Sequence, residues 1–116
     1  MKDYRATFAL DDKEYGMVFN LNVMEQIQEE YGTIQKWGAL TDGKSGEVNA
    51  KALKFGLWAM LNEAIDIDND ENGGNEPNLT LKQVGRIVSR AGLQKSAETL
   101  NKAVVEATKE DAPKNA

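Results

Sequence analysis

The sequence has no cysteine and no histidine, and only two of its 116 residues are proline. Without a thiol there is no disulfide framework and no thiolate nucleophile, and without an imidazole the commonest general base and the commonest zinc ligand are both missing. Most familiar catalytic schemes are thereby removed. Aromatic residues make up 7% of the chain, and no apolar run approaches the ~20 residues that a bilayer span needs. The N-terminus lacks the apolar stretch of a signal peptide, so a cytoplasmic protein is expected. What is present is ordinary for a soluble domain: 41% apolar and 28% charged residues, with a net charge of −5. That sign disfavours whole-molecule attraction to nucleic acid or to anionic membranes. A chain of this length buries enough surface to fold without staples.

The first elements read as an antiparallel hairpin over 4–20. Apolar side chains fall on alternate positions at Tyr4, Ala6, Phe8 and Leu10, and again at Tyr15, Met17 and Phe19. Asp11, Asp12 and Lys13 supply the turn between them. A helix over 21–31 follows, capped by Asn20 or Asn22, with Glu25 at the capping-box distance from Asn22 and Gly32 as the stop. A short helical turn at Thr33–Trp37 and a glycine-rich loop come next. The helix over 49–65 is apolar nearly all round: Leu53, Leu57, Met60, Leu61 and Ala64 form one stripe, while Phe55, Trp58 and Ile65 lie off it. Such a helix is either sandwiched in the core or covered by a partner. Residues 66–78 carry five carboxylates, two adjacent glycines and Pro77, which reads as a solvated loop. Two further helices are expected over 80–91, opened by a Thr80–Gln83 capping box, and over 96–108, with a disordered tail over 109–116. The fold class is α+β, an N-terminal hairpin followed by about four helices in a single domain over 1–108.

Three motifs invite a chemical reading. Asp68, Asp70, Asn72 and Gly73 match the first half of an EF-hand loop, but the closing bidentate Glu is replaced by Leu79. Gly38 to Ser45 satisfies G-x-x-x-x-G-K-S, yet no apolar strand precedes it and Gly46 follows where a helix should open. The helices over 80–108 resemble a helix-turn-helix with Gly92 at the turn. Residues 80–109 hold six cations against Glu98 and Glu106, a net of +4 that leaves −9 for the rest of the chain. Only Lys95, Asn101 and Lys102 stand out there as base or phosphate readers, so nucleic acid is a weak expectation. No catalytic residue, metal ligand or cofactor site is expected. Burial in the core is the default expectation for both Trp37 and Trp58, and Phe55, Trp58 and Ile65 are the candidate partner contacts.

The order of elements and three strings converge on a known pattern. Phe19–Gly32, the most specific, then Leu53–Leu61 and Leu79–Ile87, resemble the tail assembly chaperones of long-tailed phages and prophages, particularly those of Gram-positive hosts. The resemblance spans roughly residues 4 to 92. It implies a non-enzymatic protein that binds the tape measure protein, recruits tail tube subunits during tail polymerisation, works in the host cytoplasm and is absent from the finished virion. Self-association is compatible with that role. The alternatives are a structural tail or head-tail joining component kept in the particle, and a small prophage DNA-binding regulator acting through the basic helical pair.

Overall fold

Strand β1 (Tyr4–Leu10) pairs antiparallel with β2 (Lys13–Phe19), Leu10 opposite Lys13. The computed structural model describes residues 4–44 and 46–109. The two-residue connection places Asp11 at φ 57, a left-handed conformation that aspartate tolerates better than most side chains. Arg90 bonds the Asp11 carboxylate and ties this turn to the helical layer. Along β1 the expected alternation holds, with Phe8 buried and Arg5, Thr7 and Ala9 exposed. Strand β2 departs from it, because Met17, Val18 and Phe19 are all buried and the end of the strand is therefore covered on both faces.

Five helices follow: α1 (Leu21–Tyr31), α2 (Ile34–Thr41), α3 (Ala50–Asn72), α4 (Leu81–Ala91) and α5 (Leu93–Lys109). The α+β class is as expected, with five helices rather than four. Asn20 caps α1 by accepting from the Val23 N–H at 3.2 Å. The expected Asn22–Glu25 box is not used, since the Asn22 amide donates to Glu63 instead. At α4 the Thr80–Gln83 box forms in full, with bonds of 2.8 and 3.1 Å. The segment 33–37, expected as a single turn, is the start of an eight-residue helix that Thr33 caps.

The largest correction concerns α3. Its helical path does not stop at Ile65 but continues to Asn72, where Gly73 takes the left-handed conformation at φ 68 that ends many helices. Carboxylates near a helix C-terminus oppose the macrodipole, yet residues 66–72 contain no glycine or proline to stop the helix. Arg5 offsets part of that cost by pairing with Asp68 at 3.0 Å and Glu71 at 3.9 Å. Both partners are close to half exposed, so Arg5→Ala should lower stability by no more than about 0.5 kcal/mol and the loss should vanish in high salt, as read by thermal melts at two ionic strengths. Helix α5 likewise starts three residues before the expected Ser96. Gly92, at φ 102, turns the chain in one residue, and Ser96 is buried in the helix rather than capping it. Lys109, expected in the tail, is the last residue of α5; the rest of the predicted disordered tail, 110–116, lies outside the described residues.

Helix α3 is the axis of the fold. The other four helices and β2 all pack against it, and its buried residues run from Ala52 to Ala64. Two glycines permit close approach. A Cβ at Gly16 would sit 3.3 Å from the Ala64 Cβ, so β2 lies almost on the α3 backbone there. Gly56 leaves room for the indole of Trp37, which is buried, stacks parallel to Phe19 at 6.5 Å and donates to the Ala52 carbonyl at 3.0 Å. Of the two outcomes for an all-round apolar helix, most of α3 takes the first: its own chain covers it.

Candidate partner-contact surface

The uncovered part of α3 lies opposite its Leu53–Ala64 stripe. At 100° per residue, Phe55, Trp58, Asn62, Ile65 and Asn69 occupy one arc about 80° wide. Phe55, Trp58 and Ile65 are each half-buried. Phe55 meets Trp58 at 5.5 Å between ring centroids and Tyr31 of α1 edge-on at 5.8 Å, which makes a continuous aromatic row. Burial, and after it the charge of Glu30, pushes the Tyr31 phenol above its ordinary pKa and keeps it a neutral hydroxyl. That hydroxyl is buried and has no hydrogen-bond partner among the described residues. Ile65 stands apart from the row, on the wall of a groove shared with Tyr15, Asp68 and Leu79.

Part of this arc is taken by the chain itself. Residues 74–80, leaving α3 at Gly73, run back along it as an extended strap. Asn69 accepts from the Glu76 N–H at 2.9 Å and donates to the Glu76 carbonyl at 3.0 Å. Asn62 repeats the arrangement on Leu79, at 2.8 and 3.0 Å, and the Trp58 indole donates to that same carbonyl at 3.0 Å. Asn78 donates to Asp66 between the two clamps. The spacing is metrically matched: seven helical residues rise about 10.5 Å, and three extended residues span about 10 Å. Trp58, singled out from sequence as a candidate contact residue, thus has its polar atom committed within the subunit while its ring is half-buried.

Geometry bears on all three motifs among the described residues. Asp68, Asp70 and Asn72 alternate between opposite sides of α3, about 200° apart per step, so the three side chains cannot converge as an EF-hand loop requires. Gly38 to Thr41 are helical in α2 and the Lys44 N–H is held by Asp42, so no phosphate-cradling loop forms. In the helical pair α4–α5 a single residue, Gly92, replaces the three- or four-residue turn of a helix-turn-helix. Asn101 is not a free reader either, because its amide donates to the Thr41 and Ala97 carbonyls at 2.9 and 2.8 Å. Among the described residues no helix is long and apolar enough to cross a membrane.

Sequence reasoning missed Tyr31 and the two asparagine clamps. Tyr31, partly buried at the end of α1, looks in sequence like one more apolar helix position, and only the fold brings its ring to Phe55. Asn62 and Asn69 carry one legible signal: they are seven residues apart, on the face that Trp58 and Ile65 share. These features define a hairpin-plus-five-helix α+β protein with an aromatic row beside an amide-clamped strap. No family model, no curated protein and no solved structure matches the chain.

Proposed function

We propose that this protein is a non-enzymatic tail assembly chaperone of a long-tailed phage or prophage, binding the tape measure protein and recruiting tail tube subunits in the host cytoplasm. The observation that carries the reading is where the three resembling strings lie. Phe19–Gly32 forms α1 with its cap, Leu53–Leu61 the centre of α3, and Leu79–Ile87 the end of the strap with the first turns of α4; α1 and α4 both pack on α3. A resemblance dispersed over 70 residues of sequence thereby converges on one helix. The half-buried row of Tyr31, Phe55 and Trp58 supports it further, since a tape measure is a long helical chain whose apolar stripe needs covering before tube subunits arrive.

The test is co-expression with the cognate tape measure protein. The native chain should hold that protein in the soluble fraction, and purified virions should lack the chain by mass spectrometry. Phe55→Ala and Ile65→Ser should each cut co-purified tape measure protein roughly five-fold, equivalent to about 1 kcal/mol of binding, with unchanged circular dichroism. Retention of the chain in the virion would instead make it a structural tail component, and unaltered recovery with both variants would remove this surface from the proposal.

A further inference from the structure

A second surface, away from the aromatic row, has a chemistry of its own. Between the N-terminal half of α3 and α4 runs an open groove of 560 Å³ whose lining includes Lys51, Lys54, Gly85, Val88, Ser89 and Leu93. The groove exists because position 85 has no side chain: a Cβ there would meet the Lys54 Cδ at 3.3 Å. Its floor is apolar, with Val88 buried and Leu93 38% exposed. One bank is basic: Lys51 and Lys54 line it, while Lys82 and Arg86 of α4 are exposed outside the lining, both to one side of Gly85.

None of these four cations forms an ion pair among the described residues, whereas Arg5, Arg90 and Lys109 all do. The carboxylates are gathered elsewhere. Asp66, the first of the acidic run, is twelve residues beyond Lys54, about 18 Å along the helix and more than two Debye lengths away at physiological salt. Glu47 lies just before α3, outside the groove lining. No carboxylate lines the groove, so its two lysines stand beside the apolar Val88 and Leu93. A nucleic acid would use the cations but not Val88 and Leu93, and the groove lining presents no aromatic side chain on which a base could stack. A trough between two helices suits the ridge of a third, which meets it through residues spaced i, i+3, i+4 and i+7.

We infer that the α3–α4 groove docks an acidic amphipathic helix of another polypeptide, its apolar residues on Val88 and Leu93 and its carboxylates on Lys51 and Lys54. The site is separate from the row of Phe55, Trp58 and Ile65 and does not depend on the tail-assembly reading. The experiment is fluorescence anisotropy of the full chain with a labelled amphipathic peptide of Leu, Ala and Glu bearing one apolar face. Saturable binding is expected, weakened about ten-fold in Lys51→Glu/Lys54→Glu and by a similar factor in Gly85→Leu, which fills the floor without removing a cation. A scrambled peptide of the same composition should bind the native chain no better than the intact peptide binds the variants. The inference is overturned if the peptide does not bind, if both variants bind it like the native chain, if the scrambled peptide binds equally, or if generic duplex DNA binds more tightly than the peptide.

Discussion

Gly56→Ala is expected to destabilise the protein by about 3 kcal/mol, in a helix interior where the same exchange ordinarily gains nearly 1. The reversal comes from Trp37. A Cβ at position 56 would lie well inside van der Waals contact of the indole Cζ2, 3.0 Å from Cε2 and 3.1 Å from the Leu100 Cδ1. Trp37 cannot retreat, because it is stacked on Phe19 and anchored to the Ala52 carbonyl. Two companion variants isolate the cause. Gly38→Ala, in α2 with nothing within 4 Å of the added methyl, should stabilise by about 0.5 to 1 kcal/mol. In a Trp37→Phe background, which removes the ring bearing Cζ2, the penalty of Gly56→Ala should fall by about 2 kcal/mol; urea unfolding of the double-mutant cycle measures that coupling. Additive single and double variants would show that the indole is not what position 56 avoids.

The second large effect is expected at Asn62. Replacing it with alanine removes both bonds to Leu79 and leaves a half-buried N–H without a partner, at a cost of about 2 kcal/mol. Asn69→Ala, whose bonds to Glu76 are exposed to water, should cost no more than about 0.5 kcal/mol. Asn62→Asp distinguishes geometry from charge: it keeps the acceptor for the Leu79 N–H but turns an anion toward the Leu79 carbonyl. It should therefore fare no better than alanine. Hydrogen exchange supplies a second readout, since the Leu79 amide should lose protection in Asn62→Ala while the amides of α5 keep theirs. Equal costs at positions 62 and 69 would mean that burial does not separate the two clamps.

What the sequence made legible follows from the range of each signal. Alternation and capping are local, so the hairpin, the start of α1 at Asn20 and the Thr80–Gln83 box could all be read from a few neighbouring letters. The extension of α3 was obscured because five carboxylates look like a solvated loop, and nothing local says that Arg5, more than sixty residues earlier, pairs with two of them. The start of α5 was placed three residues late because its turn is made by Gly92 alone, with no further loop residues to mark it. For the contact surface, helical angle sufficed to mark Phe55, Trp58 and Ile65 as off-stripe. It could not tell that a strap from the same chain shares their arc, because an amide reading a backbone seventeen residues away leaves no period in the sequence.

The two asparagine clamps also constrain how this connector can change length. A pitch fixed at three extended residues per two helical turns works like a vernier scale, so a single insertion between Glu76 and Leu79 would throw one mark out of line by about 3 Å and could not be absorbed by sliding. Beyond the Glu76 mark, at Gly73 and Gly74, no such gauge applies. An epitope tag or a fluorophore-bearing loop grafted there should leave the protein folded, while the same graft between Glu76 and Leu79 should not.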